Sequence, residues 1–169
     1  MAHPQHEQVR ERYASRCGCC EVSEADVGGS LTVGHFQPSS ADGTDNEDNL
    51  VYACFKCNQY KGPFFPNETD VRKGRRVLHP RNDPVDEHTR FNDQTGLLEG
   101  LTPTGRFHIA LLQLNRPTLV QHRLQRCMTK WLMLRHEMLE DEVAMLTSTI
   151  TGLELHIRRL EQLLQPPTN

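Results

Sequence analysis

The sequence lacks an excess of positive charge, a long apolar run and a high content of hydrophobic residues. Its 169 residues carry a formal net charge of −3, so no global basic field indicates a nucleic-acid partner. No apolar run is long enough to span a bilayer, and no basic-then-apolar segment of the signal-peptide kind is present. These absences favour a cytoplasmic protein with no membrane partner. Hydrophobic residues make up only 36% of the chain, which predicts a small core.

Proline is absent from residues 118–165, and Gly152 is the only glycine there. Pro117 suits the first turn of a helix, so residues 116–165 are predicted to form one long helix. From Leu139 its apolar residues recur in alternating steps of four and three, the pattern of a coiled coil. The predicted seam consists of Leu139, Val143, Leu146, Ile150, Leu153, Ile157 and Leu160. The helix is expected to form a homodimer or to dock a helical partner; folding back on the rest of the chain is the alternative.

Six cysteines are present, and four of them form two C-x-x-C pairs. Cys17 pairs with Cys20, and Cys54 pairs with Cys57. Disulfides would fit a secreted protein, but without an export signal this spacing indicates metal binding. Four thiolates close a tetrahedron around zinc, so the pairs predict a structural zinc site that stabilises the small core.

The residues around the two pairs give a coarse order of elements. Residues 31–36 favour a strand, residues 39–48 a loop, and the segment that ends at Lys61 a short helix that Gly62 and Pro63 stop. Short strands are predicted at residues 77–78 and 97–101, a turn or helix start at residues 102–105, and a helix at residues 106–114. The polar N-terminal segment predicts a frayed helix, with His3 and His6 as solvated tail residues.

Three stretches between and after the cysteines carry a family resemblance. They read V-G-H-F-Q-P from Val33, D-N-L from Asp48, and C-F-K-C-N-Q-Y-K-G from Cys54. This pattern resembles the HNH endonucleases with zinc-binding cysteines, over about residues 17–62. The resemblance implies a ββα fold, binding of DNA and hydrolysis of its phosphodiester bonds. It also implies a catalytic Mg²⁺ or Mn²⁺ ion, and a role in restriction or phage defence.

The resemblance also assigns roles to residues. His35 would be the general base, Asn49 would brace the loop that carries it, and Asn58 would offer its amide oxygen to the catalytic ion. Phosphate contacts are expected from basic side chains after the second cysteine pair, with a solvated loop as the alternative for the arginines and for Lys73. These basic side chains are Lys61, Arg72, Lys73, Arg75 and Arg76.

One position departs from the family pattern. The family usually has an acidic metal ligand immediately before the histidine, whereas this chain has Gly34. A ligand from elsewhere is therefore expected, with His79 as the first candidate and Asp83 and His88 as the others.

Taken together, the sequence predicts an α+β protein in four segments. Residues 1–16 form a polar lead, residues 17–62 the zinc-stapled nuclease domain, residues 63–115 a short α/β extension, and residues 116–165 the long helix. The expected function is metal-dependent DNA cleavage with low intrinsic sequence specificity. The alternative is a zinc-dependent DNA-binding or adaptor protein weakened in catalysis by the loss of the acidic residue.

Overall fold

The computed structural model describes residues 3–164, which divide into two units after Leu124. Small antiparallel sheets and short helices make up the first unit, and one helix continues through the second. The helices are α1 His6–Arg12, α2 Glu24–Val27, α3 Phe55–Lys61, α4 Glu68–Arg72, α5 Val85–His88, α6 Pro103–Leu111 and α7 Pro117–Leu164. The strands are β1 Thr32–His35, β2 Leu50–Ala53, β3 Thr89–Phe91 and β4 Leu98–Gly100. The predicted α+β class with a long C-terminal helix is confirmed.

Strands β1 and β2 form an antiparallel hairpin that leads directly into α3. In its register Thr32 faces Ala53 and His35 faces Leu50. All four residues of β2 are buried, whereas β1 is buried in part, because only one strand runs through the core. Cys54 caps α3, its Sγ accepting the Cys57 backbone N–H at 3.4 Å. The ββα arrangement predicted for this segment is therefore present.

One hydrophobic core joins the segments of the first unit. It extends from Val9 on α1 to Leu119 on α7 and includes all four paired cysteines. Val77, Ile109, Leu112 and Leu114 bring the region after α3 into the same core. The segment boundaries drawn from the sequence stay predictions, and residues 1–2 and 165 lie outside the described residues.

The region after α3 departs from the sequence prediction in two places. Residues 77–78 were expected to form a strand, and this is wrong: Val77 and Leu78 are buried but pair with no strand in the described chain. Their apolar character reflects burial, not pairing. The second predicted strand is confirmed at Leu98–Gly100, where it pairs with Thr89–Phe91.

Helix α6 begins at Pro103, inside the segment predicted as a turn or helix start and three residues before the predicted helix body. The Thr102 side chain accepts the Gly105 backbone N–H at 3.1 Å, and Pro103 occupies the first turn. This pairing of a threonine cap with a proline is a strong helix-start signal, and it moves the beginning of α6 from residue 106 to Pro103.

Helix α7 runs for 48 residues and is about 70 Å long at about 1.5 Å per residue. From Met128 to Leu163 every residue of this helix is exposed. The seam residues are between 42% and 60% exposed. No helix within residues 3–164 is long and apolar enough to cross a membrane.

The N-terminal segment is not a solvated tail. His6 on α1 lies 3.1 Å from the Leu31 carbonyl through Nε2, and its ring meets Tyr52 edge-on at 5.5 Å. Val9 on the same helix is fully buried. The expectation for both histidines is therefore wrong: His6 lies on α1, which packs against the hairpin, and His3, which precedes α1, has a side chain only 18% exposed.

Candidate active site and metal centre

The segment between α1 and α2 and the start of α3 bring the four paired cysteines together. The Sγ atoms of Cys17, Cys20, Cys54 and Cys57 all lie within 4.8 Å of one another, and each residue is at most 6% exposed. The sulfurs of Cys20 and Cys54 are 3.7 Å apart. A tetrahedral zinc with bonds of about 2.3 Å sets its sulfurs about 3.8 Å apart, so the cluster has the size of a four-thiolate zinc site.

The surroundings of the sulfurs also suit a bound metal. One guanidinium nitrogen of Arg116 lies 3.9 Å from the sulfurs of both Cys54 and Cys57. Four thiolates around one zinc ion carry a net charge of −2, so a nearby cation and N–H donors stabilise the charged centre. These four cysteines can hold a structural zinc that leaves no open coordination position for catalysis. Cys19 is only partly buried and is not part of the four-sulfur cluster.

His35 and Asn58 lie on two neighbouring elements of the ββα segment, β1 and α3. His35 ends β1, and Asn58 follows Cys57 on the exposed side of α3. A Cβ atom built on Gly34 would collide with Oδ1 of Asn58. The amide oxygen therefore occupies the space in which the usual acidic side chain would begin. Glycine at this position lets α3 bring Asn58 directly against the backbone beside His35.

Asn49 ties together the loop between β1 and β2. Its Oδ1 accepts the Gln37 backbone N–H at 2.7 Å. Its amide nitrogen donates to the carbonyls of Gln37 at 3.0 Å and Thr44 at 2.7 Å. One side chain thus links the residues that follow β1 with those that precede β2. This geometry matches the bracing role predicted for Asn49, whose part in catalysis stays a prediction.

Two residues that the sequence reasoning did not select contact His35. Oδ1 of Asp45 lies 2.6 Å from Nε2 of His35, and Nε2 of His3 lies 3.7 Å from the same oxygen. The His3 and His35 rings meet edge-on at 6.0 Å. Asp45 belongs to an Asp/Asn/Gly-rich loop with no distinctive motif, so its position becomes visible only when the hairpin closes.

His79 is buried near this region, but its ring nitrogens are both engaged. Nδ1 accepts the backbone N–H groups of Arg81 and Asn82 at 3.2 Å each. Nε2 therefore carries the proton and donates to the Asp48 carbonyl at 3.0 Å. Burial also lowers the pKa of His79. The role of His79 as a metal ligand stays a prediction that these contacts do not favour, because they leave no lone pair for an ion.

The other two candidates for the missing ligand are also engaged elsewhere. Asp83 accepts from Arg76 at 2.7 Å and from the His79 backbone N–H at 2.6 Å. His88 lies 2.7 Å from the Thr102 hydroxyl through Nδ1. Both side chains serve the packing of the region after α3.

The predicted phosphate contacts fall into two groups. Lys61 is only 9% exposed, its Nζ lies 3.4 Å from the Phe64 carbonyl, and burial lowers its pKa. Arg76 is partly buried in its ion pair with Asp83. The remaining three side chains are exposed and able to meet a ligand: Arg72, Lys73 and Arg75. All five contacts stay predictions.

The comparisons with known proteins agree with this geometry. Residues 17–64 match the model of a family described as HNH endonuclease. This segment therefore carries the HNH endonuclease pattern that the sequence predicted. The chain is also similar to the Septu protein PtuA of Bacillus mycoides (strain KBAB4), with 27% identity over 144 residues. That match covers 70% of this chain but only 20% of the relative, so the chain spans about a fifth of the relative's length. No solved structure matches the chain significantly.

Proposed function

We propose that this HNH protein is a metal-dependent endonuclease that hydrolyses DNA phosphodiester bonds with little intrinsic sequence specificity. The observation that supports this best is that Asn58 on α3 lies against Gly34, the residue before His35 on β1, and that His35 and Asn58 line the same pocket. A base and an amide oxygen side by side are the two groups that metal-assisted phosphodiester hydrolysis requires.

His35 acts as the general base. It takes a proton from a water molecule, whose oxygen bonds to the phosphorus while the bond from phosphorus to the 3′ oxygen breaks. An imidazole suits this step because its usual pKa, about 6.5, lies near working pH. Its side chain is 26% exposed, so a DNA strand can reach it.

Asn58 is the group that would hold the catalytic ion, with phosphate and water oxygens as the other ligands. Mg²⁺ and Mn²⁺ accept such oxygen-rich sites and keep several waters, so few protein ligands are needed. When bound, the ion would stabilise the negative charge that develops on the phosphate and on the leaving oxygen. Gly34 leaves this site without a protein carboxylate.

The rival function is a zinc-dependent DNA-binding or adaptor protein. The observation that favours it also concerns position 34. Gly34 supplies no carboxylate, and Asn58 occupies the space where an acidic side chain would begin. An HNH domain that binds DNA without cutting it would keep the cysteine cluster and the exposed basic side chains.

A plasmid-nicking assay with Mg²⁺ or Mn²⁺ separates the two functions. We expect nicking by the wild type and a loss of at least about 10²-fold in His35→Ala, because proton transfer is removed while DNA binding and folding stay intact. His136→Ala is the matched control, since that histidine is exposed on α7. Binding without cutting under every metal tested would establish the adaptor. A His35→Ala protein that cuts at the wild-type rate would refute the assignment of the base.

The exposed seam of α7 leads us to propose a homodimer, or a complex with a helical partner, that forms a coiled coil. Two nuclease sites in one dimer would allow cleavage of both DNA strands. The family resemblance also leads us to propose a role in restriction or phage defence, and the similarity to the Septu protein PtuA supports that proposal.

A further inference from the structure

Three polar side chains from separate parts of the chain converge at His35. His3 precedes α1, His35 ends β1, and Asp45 lies in the loop between β1 and β2. Their ligand-type atoms all lie within 4.8 Å of one another. None of the three contacts follows from local sequence, so the fold alone creates the cluster.

The hydrogen bonds around the cluster define which atoms carry protons. Nδ1 of His3 accepts the Gln5 backbone N–H at 3.2 Å, so Nε2 of a neutral His3 bears the proton and points toward Asp45. The Asp45 carboxylate is largely exposed, and the contact with His35 lowers its pKa. An ionised carboxylate only accepts hydrogen bonds, so Nε2 of His35 donates to it.

This arrangement leaves the other nitrogen of His35 as the proton acceptor. With the proton on Nε2, Nδ1 of the neutral ring carries a lone pair. Within residues 3–164 no side chain or backbone group forms a hydrogen bond with Nδ1. Neutral His35 is therefore held as the Nε2–H tautomer, and its Nδ1 atom is free to accept a proton.

Hydrogen bonds from the Asn49 side chain hold the loop that carries Asp45 in place. Asn49 donates to the carbonyl of Thr44, the residue before Asp45, and also bonds Gln37 two residues after His35. The carboxylate and the imidazole are therefore positioned by the same amide. A loop anchored at this point presents Asp45 to His35 although most of its side chain is open to water.

We propose that Asp45 is the positioning residue for the general base. This proposal rests on the proposed role of His35 as that base. It accepts the Nε2–H of His35 and so fixes the ring in the tautomer and orientation that present Nδ1 to the attacking water. A carboxylate that orients a catalytic histidine through its far nitrogen is a recurrent arrangement in hydrolases. The acidic group absent at position 34 thus has a counterpart eleven residues later, where it acts on the base and not on the metal.

A metal ion held by His3, His35 and Asp45 is the competing explanation of the cluster. Two imidazoles and a carboxylate suit zinc and other transition metals. A metal-bound histidine, however, normally donates a hydrogen bond from its other nitrogen. In His3 that nitrogen accepts the Gln5 N–H instead, so the observed contacts favour a hydrogen-bonded cluster.

Nitrogen-15 NMR of the histidine rings tests the hydrogen bond without relying on activity. In the zinc-loaded wild type we expect His35 to be the Nε2–H tautomer, and in Asp45→Asn we expect a shift toward Nδ1–H. Asp42→Asn is the control, because Asp42 is an exposed acid in the same loop whose left-handed φ of 62° asparagine also adopts. A wild-type His35 in the Nδ1–H form, or a tautomer unaffected by Asp45→Asn, would overturn the proposal.

Plasmid cleavage tests the consequence for catalysis. Asp45→Asn should lower kcat by about 10²-fold or more, with KM and melting temperature nearly unchanged, since an exposed ion pair contributes little stability. Asp45→Glu should recover part of kcat, and Asp42→Asn should keep the wild-type value. If His35→Ala is inactive while Asp45→Asn keeps the wild-type kcat, the nuclease proposal stands and this one fails. If His35→Ala still cuts, the proposed base is refuted, and the NMR comparison alone decides the Asp45 contact.

A zinc titration decides the competing explanation. In calorimetry at micromolar concentration, zinc-loaded wild type should bind no further zinc whose binding depends on His3 and Asp45. A second equivalent that disappears in both His3→Ala and Asp45→Asn would show that the cluster is a metal site and would overturn the positioning role.

Discussion

The two units of this protein differ in whether their hydrophobic side chains are buried. In residues 3–124 the apolar residues and four cysteines form one buried core that closes around the hairpin. In residues 125–163 none of the described side chains is buried, and 16 of the 23 exposed large hydrophobic side chains lie there. Similar residue types thus support a closed fold in one unit and leave an open surface in the other.

The difference shows that a hydrophobic pattern stabilises a fold only when something covers it. The first unit is small, and its core is completed by a cluster that fits a metal, so binding energy at the sulfurs adds directly to folding. The α7 seam has the spacing of a coiled coil, but an exposed stripe of this size is typical of an interaction surface. Stability should therefore depend on zinc in the first unit and on association in the second.

Removal of one zinc ligand should have the largest effect. Cys54→Ser is expected to abolish stoichiometric zinc and the cooperative folding of residues 3–124. Structural zinc contributes about 10–16 kcal/mol in zinc-finger peptides, as much as the whole stability of a typical domain. Elemental analysis and NMR signal dispersion are the measurements.

Cys127→Ser provides the control for that experiment. Cys127 lies on α7 outside the four-sulfur cluster and is only partly buried, so the same substitution there should preserve both zinc and fold. Wild-type protein without stoichiometric zinc, or a Cys54→Ser protein of unchanged stability, would contradict the structural zinc site.

The sequence predicted the cysteine cluster and the long helix correctly for a simple reason. Both depend on local spacing: a C-x-x-C pair positions two sulfurs, and a heptad repeat requires only helical geometry. The two short strands were harder to predict. Val77 and Leu78 have the composition of a strand, yet they are buried without pairing, and composition does not separate these two outcomes.

Only the residues of the candidate site that belong to a family motif could be predicted from the sequence. The roles of His35, Asn49 and Asn58 follow from the family resemblance and stay predictions, while the structure places Asn58 against Gly34, the residue before His35. Asp45 and His3 were missed because they reach His35 across a loop and from the chain's N-terminal segment. His79 looked available in the sequence, but its hydrogen bonds to three backbone groups depend on the folded loop around it.

A charge in the α7 seam should have the next largest effect. Ile150→Asp places a carboxylate at the middle of the seam, where each buried aliphatic side chain would contribute about 1.5–3 kcal/mol to association. Light scattering at micromolar concentration should show a dimer for the wild type and a monomer for the variant. The NMR signals of residues 3–124 and the zinc content should stay unchanged.

Ser148→Asp is the matched control for the seam. Ser148 lies on α7 outside the seam positions and is exposed, so the same charge there should leave association intact. Equal loss with both variants would mean that charge alone, and not the seam, controls association. A monomeric wild type would refute the homodimer and leave only a different helical partner.

The smallest predicted effect concerns pH and belongs to the first unit alone. His108 on α6 is 5% exposed, and its Nδ1 accepts the Leu78 backbone N–H at 3.1 Å. Burial lowers the pKa of His108 to about 4, whereas an unfolded histidine has a pKa of about 6.5. The unfolded chain therefore binds more protons between these values. The resulting stability is complete above about pH 6.5 and is lost as the pH falls toward 4, by up to roughly 3 kcal/mol.

His108→Asn removes this titration while it keeps an oxygen that can accept the Leu78 N–H. Denaturant unfolding of both proteins with excess zinc should show the wild type losing about 1.4 kcal/mol more than the variant between pH 7.5 and 5.5. Ile150→Asp protein should keep the wild-type pH dependence, because no seam residue titrates in this range. A stability difference between wild type and His108→Asn that stays constant over this interval would show that His108 does not control it.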